Sequence, residues 1–237
     1  MTRSPVDSPP QANPGSGSNA ANRLAGLGAA ALLAVAWVIA PAAAPFPAAI
    51  PVAWAACPGT EVVFARGREE PPGVGFVGDA LVNSLRPKVR MPVGAYGVNY
   101  PADVDPAKGA NDMSAHVQSM AKSCPNTREV LGGYSLGAVA ADLVIAVTKP
   151  GFGFTNPLPP GVDQDVAAVA LFGNGTRRIL GPVPDFSPAF AGKTIEECAS
   201  GDPICSGGDA QWSSHLQPAY IDSGLVDQAA SFVAGRL

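Results

Sequence analysis

Charge is scarce in this 237-residue chain: Asp, Glu, Lys and Arg make up only 14% of it, with a net charge of −4. Its 15 basic residues against 19 acidic ones supply no positive field for nucleic acid. They supply no polybasic patch for a membrane surface either. Histidine is scarcer still, with two, and no Cys-x-x-Cys occurs, so a metal centre with ordinary ligand spacing is excluded. No residue pattern calls for a cofactor, and no internal repeat is present. What dominates is apolar: 47% of the residues are hydrophobic, which favours a packed core over a disordered chain. Roughly the last 180 residues read as folded, one domain by size.

Residues 1–22 are rich in Pro, Ser, Gly, Asn and Ala without periodicity and read as a disordered tail. Arg23 then precedes an apolar run, Leu24 to Ala40, followed by an Ala-rich stretch punctuated by Pro41, Pro45, Pro47 and Pro51. A positive residue, an apolar run and small residues form an export signal over 23–55. Ala53-Trp54-Ala55 fits its cleavage pattern, so the mature domain is expected to be 56–237 and the protein secreted. An uncleaved anchor fits less well, because the run is short for a span and prolines block its extension. No stable membrane span is therefore expected in the mature form.

All four cysteines follow this segment: Cys57, Cys124, Cys198 and Cys205. An even count in an exported chain implies two structural disulfides among three possible pairings. The close spacing of Cys198 and Cys205 favours a local bridge, which leaves Cys57 for Cys124.

From Glu61 onward strand and helix patterns alternate. Glu61–Ala65, Val93–Tyr100, Glu129–Leu131 and the wholly apolar Val166–Phe172 read as strands. Val77, Leu81, Val82 and Leu85 share one helical face, as do Met113, Val117, Met120 and Cys124. Ala138–Val147 and the segment carrying Leu225, Ala229, Phe232 and Val233 give two further helices. Such alternation predicts a doubly wound α/β sheet.

Gly133-Tyr134-Ser135-Leu136-Gly137 lies between a predicted strand and a predicted helix. G-x-S-x-G there makes a nucleophile elbow, its glycines removing the Cβ atoms that would collide with the neighbouring strand and helix. In a chain with 27 glycines the bare pattern is weak, and its context carries it. A serine hydroxyl needs a base, and α/β hydrolases place the partners in the order Ser, Asp, His. Only His215 follows Ser135. His116 precedes it, beside the Met113–Met120 stripe, and reads as a surface or boundary residue. Asp163, Asp165, Asp185, Asp202, Asp209, Glu196 and Glu197 all lie between the serine and His215. Asp202 is favoured, because Cys198-Ala-Ser-Gly-Asp-Pro-Ile-Cys205 can hold one carboxylate still, as a triad acid requires.

Phe64-Ala65-Arg66-Gly67, the elbow Gly132-Gly133-Tyr134-Ser135-x-Gly137, Cys198-x-x-Gly201-Asp202-x-Ile204-Cys205 and the following His215 together resemble the cutinases. The cutinase-like proteins of mycobacteria match most closely in pattern, over about Cys57 to Leu237. That resemblance implies a small lidless α/β-hydrolase, a parallel five-stranded sheet with helices on both faces. It also implies a carboxylic-ester hydrolase with bridges Cys57–Cys124 and Cys198–Cys205, and it puts Ser135, Asp202 and His215 on the triad positions. Two residues depart from the family pattern. Arg68 replaces the usual Ser or Thr after Arg-Gly, and Leu136 the usual Gln after the nucleophile. The backbone N–H groups of Arg68 and Leu136 remain available as an oxyanion hole. The Arg68 side chain is expected to face solvent, paired with Glu69 or Glu70.

The expected substrate is a small-molecule or lipid ester with an apolar acyl group. Trp212, Phe152, Phe154 and Pro157–Pro160 are considered as apolar walls, with core or loop packing the favoured role for the two phenylalanines. Two rival readings keep the same fold: an exported binding or antigen-like protein with little turnover, and an acyltransferase in which an alcohol intercepts the acyl-enzyme.

Overall fold

The computed structural model describes residues 57–237. The expected tail, export segment and cleavage point lie outside the described residues. Five strands, β1 Thr60–Ala65, β2 Val93–Gly97, β3 Arg128–Tyr134, β4 Val166–Phe172 and β5 Thr194–Glu197, form one sheet in the order β2-β1-β3-β4-β5. Every pairing is parallel, so the connections must cross back over the sheet, and helices supply them. These are α1 Gly75–Leu85, α2 Pro106–Ser123 and α3 Leu136–Ala146, then the short α4 Arg177–Leu180 and α5 Val183–Phe186; α6 Pro218–Ile221 and α7 Leu225–Ala234 follow the last strand.

Alternation along the strands sorts side chains into two layers. Val63, Leu131 and Val169 pack with Met113 and Val117 of α2 and Ala141 of α3. Val62, Phe64, Val130 and Phe172 pack with Leu81 and Leu85 of α1 and Ala230 and Val233 of α7. Helices therefore cover both faces, which is why all seven residues of β4 are buried and its sequence is continuously apolar.

Strand order reverses between β1 and β3, and in open α/β sheets a ligand crevice opens at such a point, outside the carboxyl ends of the strands. The loop after β1 and the elbow after β3 both arrive there. β2 ends at Gly97, three residues before the expected Tyr100, where the chain passes against the Gly73 backbone. Val98 and Tyr100 nonetheless remain buried. Cys57 is bonded to Cys124, tying the start of the domain to the end of α2, and Cys198 to Cys205 in a local loop.

Candidate active site

β3 delivers Ser135 directly into α3. The serine sits at φ 55°, ψ −117°, a positive-φ conformation rare for a residue with a side chain and a store of local strain. The flanking glycines make the turn possible. A Cβ on Gly137 would lie 1.9 Å from the Ala65 carbonyl oxygen of β1, and one on Gly133 would lie 2.2 Å from the Gly137 carbonyl oxygen. Both expected collisions are therefore real. The helix starts at Leu136, two residues earlier than its apolar pattern indicates, because the elbow feeds straight into it.

Ser135 Oγ lies 2.8 Å from His215 Nε2, and His215 Nδ1 lies 2.7 Å from Asp202 Oδ2. With Nδ1–H donating to the carboxylate, Nε2 is left to accept the serine proton. Asp202 is 0% exposed and His215 4%. The carboxylate does not stand alone: the Ile204 amide donates to Oδ1 at 2.6 Å, and the Tyr220 hydroxyl donates to Oδ2. The loop around it is braced by Asp202 N–H to the Ala199 carbonyl at 3.0 Å and by Ser206 Oγ to the Asp202 carbonyl at 2.7 Å. Tyr134, the residue before the serine, donates its hydroxyl to the backbone carbonyl of His215. None of the other carboxylates considered for the acid position touches the imidazole; Asp209, the nearest rival in the sequence, lies on an exposed stretch.

The loop after β1 is held rigidly by its own charges. Arg66 is buried and donates to the carbonyls of Glu70, Val98 and Tyr100. Glu70 is also buried, and its carboxylate accepts from the Gly67 and Phe76 amides. Arg68 takes no part in this network. Its side chain is half exposed, with Nε 3.8 Å from Glu69 Oε1, so the expected partner is Glu69 rather than Glu70.

A cavity of about 460 Å³ opens over Ser135, walled by Leu136, Val139, Ile204, Trp212 and Leu216, with Arg68, Glu69 and Gln217 on its polar side. Trp212 thus reaches the site. Phe152, Phe154 and Pro157–Pro160 do not. Helix α3 carries the chain away from the carboxyl ends of the strands, so residues between it and β4 lie at the opposite end of the sheet. Phe154 is buried in the α2/α3 layer, Phe152 is 89% exposed on a turn, and Pro157 accepts from Gln118 of α2. His116 is a half-buried boundary residue, bonded to Glu61 at 2.7 Å and stacked on Tyr96. Among the described residues, no three His, Cys, Asp or Glu cluster as metal ligands, and no helix is long and apolar enough to cross a membrane.

Sequence reasoning missed Tyr220. Its only signal was a tyrosine five positions after the base, and a buried phenol needs a polar partner.

Comparison with known proteins decides the lineage. The Cutinase family model matches residues 56–237. The chain belongs to the cutinase family. It is 57% identical over 216 residues to "Probable carboxylesterase Culp2" of Mycobacterium tuberculosis (strain ATCC 25618 / H37Rv), covering 88% of this chain and 94% of that one. "Phospholipase Culp4" of the same strain is 50% identical over 234 residues, covering 96% and 99%. Among solved structures, Trichoderma reesei cutinase in complex with a C11Y4 phosphonate inhibitor matches at 33% identity, with a TM-score of 0.58 and 76% of each chain covered. An iodinated complex of acetyl xylan esterase matches at 26%, with a TM-score of 0.64 over 76% of this chain and 99% of that one. As a cutinase-family enzyme, the protein is a serine carboxylic-ester hydrolase.

Proposed function

We propose that the protein is an exported esterase that cleaves apolar acyl esters, with Ser135 as nucleophile, His215 as general base and Asp202 as the group that orients the base. The observation that supports this most is the unbroken hydrogen-bonded line from Ser135 Oγ through the imidazole to a buried carboxylate, opening under an apolar wall. His215 Nε2 takes the hydroxyl proton as Oγ bonds to the ester carbonyl carbon. The Leu136 N–H, in the first turn of α3, has no intrahelical acceptor and is free to face the oxyanion together with the Arg68 N–H. The imidazolium then gives its proton to the departing alkoxide, the C–O bond breaks, and an acyl-enzyme remains. Water, deprotonated by the same histidine, releases the acid and restores Ser135. Two disulfides support an oxidising, extracellular destination.

Hydrolysis of p-nitrophenyl esters from acetate to palmitate by residues 56–237 tests both parts. Turnover should favour acyl chains longer than acetate, and Ser135→Ala and His215→Ala should each abolish it with the fold retained. A rate independent of chain length would remove the apolar preference.

A further inference from the structure

Asp202 Oδ2 accepts two hydrogen bonds, one from His215 Nδ1 and one from the hydroxyl of Tyr220. The phenol is fully buried, with its ring edge-on to Phe172 and Tyr134. Only the direction toward Asp202 is open to its proton. The neighbouring Cys205 sulfur, 3.4 Å away, is locked in a disulfide and accepts weakly. Burial, followed by the adjacent Asp202, holds the phenol well above its ordinary range, so it stays a donor throughout the working pH range. The titratable groups facing this pair are His215 and Tyr134, with Glu70 acting on Tyr134 from beyond it.

We infer that Tyr220 is a positioning residue for the hydrolysis: it divides the charge of Asp202 Oδ2 with His215 and so sets how strongly the acid holds the imidazolium. The inference rests on the triad assigned above. Two donors on one oxygen and a third on the other leave the carboxylate no rotation, which keeps Nε2 aimed at Ser135. Without the phenol proton, Oδ2 carries more charge toward Nδ1, and the protonated base is favoured to higher pH.

Tyr220→Phe keeps the ring and its packing and deletes only that donor. Its kcat on a short-chain ester should fall about tenfold, the scale of one hydrogen bond to a charged group, with KM changed less than about twofold. The acid limb of kcat/KM should move to higher pH by about half a unit or more. Tyr134→Phe is the control, since its hydroxyl meets only the His215 backbone carbonyl; it should leave that limb in place. In an Asp202→Asn background, Tyr220→Phe should have no further effect on the limb. A Tyr220→Phe limb coincident with the wild type overturns the inference, as does an equal displacement by Tyr134→Phe. Ser135→Ala, run alongside, separates the two levels: surviving turnover there overturns the triad itself, whereas a dead Ser135→Ala with an unmoved Tyr220→Phe profile overturns only the role of Tyr220.

Discussion

Removing the small disulfide should injure catalysis more than stability. The two bridges span sequence separations of 7 and 67. Chain-entropy arithmetic gives about 2.4 kcal/mol for the shorter loop and about 4.4 kcal/mol for the longer. For a domain of this size that corresponds to falls in Tm of about 5–10 °C and about 9–18 °C. The catalytic consequence runs the other way. Cys57–Cys124 lies far from the cleft, whereas Cys198–Cys205 encloses Asp202, and a small displacement of that carboxylate turns the imidazole off Ser135. Loss of alignment on the 1 Å scale can cost up to about 100-fold, so a fall in kcat of about tenfold or more is expected for the Cys198→Ser/Cys205→Ser pair. Cys57→Ser/Cys124→Ser should lower Tm further and leave kcat near wild type at a temperature where both remain folded. Thermal unfolding by circular dichroism, with kcat on p-nitrophenyl butyrate, reads both. A large Tm loss with unchanged kcat in the short-loop variant would mean that the loop's own hydrogen bonds suffice to fix the acid and the bridge has no catalytic role.

Three further substitutions follow from particular residues. Glu129 is 1% exposed, neither of its oxygens meets a protein donor, and burial, followed by Glu61 and Asp165, pushes its carboxyl up to about 8. Its native form therefore holds a proton that the unfolded chain releases above 4.5, and stability declines as pH rises from there to about 8. Glu129→Gln should be near neutral at pH 5 and stabilising at pH 8 by roughly 3–5 kcal/mol, read by denaturant unfolding at both values; a pH-independent difference contradicts the assignment. Arg68→Thr should raise kcat on a short-chain ester by about tenfold or more, since it restores a hydroxyl donor beside the oxyanion. Leu136→Gln should matter less because its backbone donor is already present, and a fall in kcat for Arg68→Thr at constant KM would make the guanidinium itself the stabilising group.

Much of the fold was legible because burial is written into residue type. β4 was read with its true ends, since a strand covered on both faces must be apolar at every position. β3 was read short. Gly132 and Gly133 look like loop, yet they pair with β1 and β4, and Gly132 lacks a side chain because a Cβ there would stand 2.5 Å from the Phe64 ring. β5, Thr-Ile-Glu-Glu, went unlocated: it is a four-residue edge strand with one neighbour, and its Glu196 is taken by Asn174 and the Val183 amide. At the site, the elbow motif pointed to the serine and scarcity forced the histidine, whereas Asp202 was only favoured among seven carboxylates, by its closed loop. Tyr220 was invisible because its partner lies 18 positions away and nothing local marks a phenol that serves a carboxylate. Pro157–Pro160 were considered as walls of the cleft on apolar character alone, which says nothing about which end of the sheet a loop occupies.

Every catalytic expectation above depends on Ser135 being the nucleophile. Incubation of residues 56–237 with a fluorophosphonate, followed by peptide mass analysis, tests it most directly. One adduct is expected, on the peptide containing Ser135, formed in the wild type and lost in His215→Ala; no adduct, or one on a different serine, removes Ser135 as the nucleophile.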